Sequence, residues 1–364
     1  MRQLDSIPSA DGFHMPGEFE LHRRTYMIWP QRPDIWRLGA KPVQEVYRKV
    51  AEAIAEFEPV TMLVNEEQYQ HARRVLNSKV NVVEMSSNDA WARDVGATFV
   101  RNKTANEIRG IDWRFNAWGG LIDGLYFPWH LDDQVATKMC DLEHVDCYSL
   151  NHFILEGGSI HTDGEGTLIA TESCLLSKGR NSTLTKKQIE QTLQGYLGVD
   201  KVIWLKNGIY QDETNGHVDN MCAFVRPGEL MLAWTDDPQN PQYVYSQAAY
   251  RHLAGVRDAR GRRLIVHKMP MPEAMYMTAG ESSEIDQTPF AKRRPDGMRL
   301  CGSYINSYIC NGAVIIPKFN VPQDQQACEI YRQLFPDRII IPIYTREILL
   351  GGGNIHCITQ QVPQ

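Results

Sequence analysis

The chain has 364 residues, 43% of them hydrophobic and 23% charged, with a formal net charge of −6. This is the composition of a globular protein with ample core, and its slight acidic surplus speaks against a general affinity for nucleic acid, which needs a basic footprint. No apolar run approaches the roughly 20 residues needed to span a bilayer, and residues 1–11 have no apolar core of the kind a secretory signal carries. The expectation is a cytoplasmic protein with no membrane or nucleic-acid partner.

An amphipathic stretch, a break and a β-rich run recur along the chain. Val43, Val46, Tyr47, Val50, Ile54 and Phe57 share one face at helical period, which predicts a helix over 43–57, stopped by Pro59 before a buried strand over 60–64. The pair returns at 66–77 and 80–85, more weakly at 132–143 and 145–150, and again at 185–197 and 201–205. In the last of these Thr185 suits an N-cap and Gly198 the residue after the helix. Further copies lie at 242–254 with 263–268 and at 323–335 with 338–343. With the first pair set aside as a partial unit, five copies remain. Recurrence of one supersecondary unit, with no linker rich in Pro, Gly or Ser, predicts a single α/β domain over 1–364 built by radial repetition. An irregular α/β domain is the alternative.

Polar clusters follow four of the predicted strands. Asn88-Asp89-Ala90-Trp91-Ala92-Arg93-Asp94 follows 80–85, and Phe153-Ile154-Leu155-Glu156-Gly157-Gly158-Ser159-Ile160-His161 follows 145–150. Asp212-Glu213-Thr214-Asn215-Gly216-His217-Val218-Asp219-Asn220 follows 201–205, and Gly351-Gly352-Gly353-Asn354-Ile355-His356-Cys357 follows 338–343. In a radial array equivalent positions face one axis, so these clusters are expected to meet.

Eight cysteines are scattered without a Cys-x-x-Cys pair, which suits neither a zinc ribbon nor a disulfide framework. Cys357 stands apart because three glycines before it permit close backbone approach, while no Lys-Ser/Thr follows them to make a phosphate cradle. If 354–357 is extended, His356 and Cys357 point to opposite faces, and the base must come from elsewhere. His217 is the candidate: at strand spacing it shares a face with Asp219. A metal reading of His217 and Asp219 needs further ligands, for which His161 and Asp163 are the candidates. Glu156 and Asp94 end buried runs and need a cation, either an arginine such as Arg93 or a ligand. Several carboxylates around one thiol make a site for a planar guanidinium. Trp91 offers such a cation a π face or else belongs to the core, and Glu213 is, on charge alone, a partner for a distal ammonium.

Together these segments resemble the agmatine deiminases of the guanidino-group-modifying (pentein) superfamily. The resemblance runs from Met15-Pro16-Gly17-Glu18-Phe19-Glu20 and Trp29-Pro30, through Phe115-Asn116-Ala117-Trp118-Gly119-Gly120, to the segment ending in Cys357 and beyond it to Gln361. Ala97 stands where the pattern has proline, and Asn215 where many relatives carry aspartate. The resemblance implies a five-bladed α/β propeller with pseudo-five-fold symmetry and a homo-oligomer. It implies hydrolysis of agmatine, a small cationic guanidino compound, to N-carbamoylputrescine and ammonia with no metal or organic cofactor. Cys357 is then the nucleophile, His217 the acid and base with Glu156 beside it, and Asp94 and Asp219 the guanidinium ligands. Deimination of arginine, amidino transfer and a non-catalytic binding module are the competing readings.

Overall fold

The computed structural model describes residues 1–364. Its strands form five sheets of three or four strands and one two-stranded ribbon. All five sheets repeat one pattern: an antiparallel pair, then a strand added in parallel after a helix. In one, Thr98–Asn102 pairs antiparallel with Glu107–Arg114, and Val135–Glu143 carries the chain to the parallel strand Cys147–Ile154. In the next, Ile160–Thr162 and Thr167–Thr171 are followed through Lys186–Leu197 by Lys201–Leu205. The third joins Cys222–Arg226 and Glu229–Trp234 to Ile265–Pro270 through Gln242–Gly255. The fourth joins Tyr308–Cys310 and Ala313–Lys318 to Ile339–Tyr344 through Gln323–Leu334. A parallel addition needs such a crossover, because a tight turn reverses the chain.

The fifth sheet is shared between the two ends of the sequence. Gln360–Pro363 supplies its first strand, antiparallel to His22–Ile28, and Lys41–Ile54 leads to the parallel strand Val60–Val64. The pair read above as partial is therefore the complete unit of this sheet, and Glu66–Val75 with Val80–Glu84 adds an outer strand to it. The helix-and-strand halves of the units are close to their predicted positions. Lys186–Leu197 has Thr185 at its N-cap as expected, within a capping box that Gln188 completes, and Gly198 closes it in the left-handed region at φ 62°. Three apolar clusters join the sheets: one spans the first two, another the second to fourth, and the largest the fourth, fifth and first.

Candidate active site

The first strand of every sheet is preceded by a short irregular segment, and these segments converge. Asp94 lies in the helical turn Ala92–Val95, Glu156 precedes the turn Gly157–Ser159, and His217 precedes the turn Val218–Met221 that holds Asp219. Asn306 comes just before Tyr308–Cys310, and Cys357 just before Gln360–Pro363. His217 and Asp219 thus meet through a helical turn rather than through strand alternation. Likewise 355–358 is a turn, so the extended geometry expected for His356 and Cys357 does not occur. A pocket opens here, lined among others by Trp91, Asp94, Trp118, His217 and Cys357.

Gly158 marks the centre. Its N–H donates to Asp94 Oδ1 at 2.8 Å. A Cβ on this glycine would lie 2.6 Å from His217 Nδ1, 2.8 Å from Asp219 Oδ2 and 3.0 Å from Asp94 Oδ1, so the three groups surround a point that only glycine leaves open. Cys357 Sγ stands 3.5 Å from Asp219 Oδ2 and receives an N–H from Asn306 Nδ2 at 3.1 Å. Burial, followed by the charges of Asp219 and Asp94, pushes its thiol well above the ordinary cysteine range.

His217 stands with Nδ1 3.9 Å from Asp94 Oδ2 and Nε2 3.6 Å from Glu156 Oε2. Burial works against its imidazolium, yet Asp94, Cys174 and Glu156 hold its pKa well above the usual histidine value. For Asp94 burial wins and its carboxyl is raised, with Asp219 and Glu156 adding to the rise against His217 and the Gly158 N–H. Glu156, although buried, is lowered, because Arg180 and His217 face it. Arg180 Nε lies 2.7 Å from Glu156 Oε1 as a fully buried ion pair. This is the cation that a buried carboxylate requires, and it is not Arg93, which bonds Gln361 at 2.6 Å and Glu18 at 3.2 Å instead.

Trp91 is both core and lining: it is 4% exposed, packs at 5.2 Å on Trp36 and donates its Nε1–H to Asp89 at 2.7 Å. Glu213 sits behind Gly352, bonded to Arg294 Nη1 at 2.7 Å, with its Oε1 free of hydrogen bonds and 3.9 Å from Lys292 Nζ. The metal set drawn from His217, Asp219, His161 and Asp163 does not assemble. Asp163 turns to the N–H groups of Glu165 and Thr167, and His161 Nδ1 accepts from Phe224 N at 3.2 Å. Glu18, His161 and His356 do approach one another, as do Glu156, Cys174 and His217. Arg93 and Arg180 already neutralise the carboxylate of each group.

Three contributors escape a sequence-only reading. Asn306 belongs to the unit ending at Ile265–Pro270, but residues 271–302, with the ribbon Met275–Tyr276 and Arg299–Leu300, separate it from that strand. The regular repeat, which demanded a fifth cluster, was the available signal. Trp118 donates to Asp94 Oδ2 at 2.8 Å from a backbone where it and Ala117 both have positive φ, 63° and 54°, a strained pair of the kind functional sites retain. Arg180 carries no motif signal at all.

A model of the Porphyromonas-type peptidyl-arginine deiminase family matches residues 14–363. The chain belongs to this family. Its sequence is 53% identical over 364 residues to the agmatine deiminase of Pseudomonas syringae pv. tomato, covering 100% of this chain and 99% of that one. Similarity to the agmatine deiminase of Pseudomonas aeruginosa strain UCBPP-PA14 is 54% identity over 364 residues with the same coverage. The structure is similar to that of the agmatine deiminase of Enterococcus faecalis, with a TM-score of 0.97 and 50% identity over 100% of both chains.

Proposed function

We propose that the chain is an agmatine deiminase, hydrolysing agmatine to N-carbamoylputrescine and ammonia, with Cys357 as nucleophile and His217 as acid and base. The observation that carries this is a buried thiol 3.5 Å from one carboxylate in a pocket that also holds Asp94 and His217. Such a ring of charge suits a planar cation. The Oδ1 atom of Asp219 is buried and unpartnered, a donor-seeking atom that a guanidinium N–H satisfies. Asp94 is the second ligand, Trp91 offers a π face, and Glu213 Oε1 is the acceptor for the distal ammonium. The one arginine lining the pocket, Arg294, is spent on Glu213 and on Gly351 O at 2.8 Å. Its charge is already paired with Glu213, although its buried Nε has no partner, and this pairing favours agmatine over arginine.

In the first half-reaction the Cys357 thiol, acidified by the bound cation, releases its proton to solvent, the thiolate Sγ bonds to the guanidinium carbon, His217 gives a proton to one departing nitrogen, and the C–N bond breaks to release ammonia. The thioether that remains keeps the diamine tail. Water then attacks the same carbon, His217 takes its proton, the C–S bond breaks, and a ureido product and thiol result. Glu156, charged and held by Arg180, stands beside His217 to stabilise its protonated form. Substrate binding also prepares the nucleophile: a unit charge at ~4 Å is worth ~4 kcal/mol at an effective dielectric of ~20, roughly three pKa units before competing charges. Every group these steps use belongs to this chain.

The same reading extends to architecture and setting. The five repeating sheets, the end-sharing fifth and the apolar clusters linking neighbours support a closed five-bladed α/β propeller of one domain with pseudo-five-fold symmetry. Exposed Leu121, Ile122 and Phe127, with Phe290 hydrogen-bonded to that segment, support self-association. Eight unpaired cysteines support a reducing, cytoplasmic setting; no helix is long and apolar enough to cross a membrane.

The test is intact mass after acid quench of a turnover mixture with agmatine. The expected result is an adduct on Cys357 that retains the diamine tail, absent from Cys357→Ala, which is inactive. An adduct of amidino size alone would assign group transfer instead, and undiminished turnover by Cys357→Ala would remove the nucleophile from the scheme.

A further inference from the structure

Beneath the pocket lies a chain of buried ionic contacts that the reaction as described does not use. His356 Nδ1 is 2.9 Å from Asp219 Oδ2, and His356 Nε2 is 2.9 Å from Glu18 Oε2. Glu18, His356 and Asp219 are 5%, 4% and 1% exposed. A neutral imidazole has one N–H and one lone pair, so between two carboxylates it would aim a lone pair at an anion. Only the imidazolium donates to both. Glu18 is itself fixed from three sides: it also accepts from Arg93 Nη2 at 3.2 Å and, through Oε1, from Ile309 N at 2.9 Å.

We propose that His356 is a positioning residue: a buried imidazolium, pinned by Glu18, that holds Asp219 through Oδ2 and thereby presents Oδ1 to the guanidinium of the substrate. This rests on the role given to Asp219 above. The division of labour between the two oxygens is visible in the contacts. Oδ2 is taken by His356 and lies nearest to Cys357, whereas Oδ1 is buried without a partner. A carboxylate free to rotate would exchange these oxygens; the His356 contact prevents this. Glu18 comes from the Met15–Glu20 segment and His356 from the segment before Cys357, so the device ties the beginning of the chain to its end beneath the site.

The charges around the pair act in both directions. His356 faces Glu18 and Asp219, which favour its cation, and Arg93, which opposes it; His161 stacks on it with ring centroids 6.1 Å apart. His161 is itself held down to about 4 by burial, and so stays neutral. Asp219 faces His356, His217 and Arg93 on one side and Asp94, Asp212 and Cys357 on the other. Burial favours its neutral form, yet the three cationic groups lower it below the ordinary aspartate value. Removing His356 therefore raises Asp219, and guanidinium binding fails at a higher pH than before as acid is added.

The two ring nitrogens can be tested separately. In a Cys357→Ser background, agmatine binding is measured by calorimetry from acid to neutral pH. His356→Asn places an amide near the Nδ1 position and keeps a donor for Asp219; His356→Gln reaches only the Nε2 position and keeps one for Glu18. The expected result is at least tenfold weaker binding for His356→Gln, with its acid limb moved up by a unit or more, and clear rescue in His356→Asn. Equal losses in both variants, tracking their thermal stability, would assign a purely structural role and overturn the proposal. Glu18→Gln is the milder second variant: it keeps an acceptor but removes the charge that favours the imidazolium, so binding should fall at a lower alkaline pH than in the parent. An unchanged alkaline limb overturns the proposal too. If the parent binds agmatine but the wild-type protein does not hydrolyse it, the proposed activity falls and the positioning role stands. If the parent does not bind agmatine, both fall.

Discussion

Gly158 has no side chain because its Cβ would occupy the space that Asp94, His217 and Asp219 share. Gly158→Ala is expected to lower kcat/KM for agmatine by more than about 100-fold while costing roughly 1–3 kcal/mol of stability, the range for overpacking a tight site; steady-state kinetics and urea denaturation check the two halves. The same crowding governs Cys357. With its thiol raised by burial, Asp219 and Asp94, alkylation by iodoacetamide should be slow at neutral pH and should speed up when an inert guanidinium occupies the pocket. A fully formed thiolate in the empty protein at pH 7 would contradict this. His217 sets the opposite limit. Its pKa is raised, so the imidazolium proposed to protonate the departing nitrogen is present at neutral pH and is lost as pH rises through that elevated value; the alkaline limb of kcat should therefore lie well above the ordinary histidine range. At this scale much was legible. Cys357, His217, Asp94, Glu156 and Asp219 were selected by residue type and neighbours, because each brings a chemistry that a core position does not need. Arg180 was not, since a buried arginine is recognised only by the carboxylate it reaches in space.

Elements were legible where one face is apolar at a single period. The helix Lys186–Leu197 is legible with its caps Thr185 and Gly198, because both act on their own neighbours in sequence. The antiparallel pairs were missed, although Asn311-Gly312 between Tyr308–Cys310 and Ala313–Lys318 is a hairpin signal, with Gly312 at φ 78°. Fully buried strands lack the alternation that marks a half-exposed one. Other local geometry depends on contacts beyond the element. Asp132, at the start of the predicted helix over 132–143, instead opens a 3₁₀ turn before Val135–Glu143. Its carboxyl accepts the N–H groups of Asn88 at 2.6 Å and Asp89 at 3.2 Å and the hydroxyl of Tyr126, clamping that turn to the segment that carries Asp94. Burial pushes it up to about 7. A carboxyl raised from 3.8 favours the fold fully below about pH 4 and loses that contribution as pH rises through 7. Asp132→Asn cannot ionise, so its urea stability should decline less than the wild type's between pH 4 and pH 8; parallel curves for the two proteins would refute the assignment.

The whole molecule is closed by its ends. Gln360–Pro363 pairs with His22–Ile28, Gln361 receives Arg93 Nη1 at 2.6 Å, and Gln364 N donates to Leu21 O at 2.9 Å. Cys357 lies three residues before that strand, so the proposed nucleophile is positioned by the closure. Deleting residues 360–364 is expected to cost more than about 4 kcal/mol, the range reserved for losses of a whole buried contact set, and to abolish turnover; urea denaturation and an agmatine assay measure both. Retained activity in the truncated protein would show that the turn at 355–358 holds Cys357 unaided. By itself the sequence determined the α/β class, the recurrence of its helix-and-strand pairs and the residue types available to the candidate site, because periodicity, capping and residue type are local properties. Only the tertiary structure decided which pair completes the fifth sheet, that Asn306 joins the site across the 271–302 insertion, and that His356 faces Asp219 and Glu18. Those outcomes depend on which distant backbone pairs with which, and on where a buried charge finds its counter-charge, and neither is a property of any one stretch of chain.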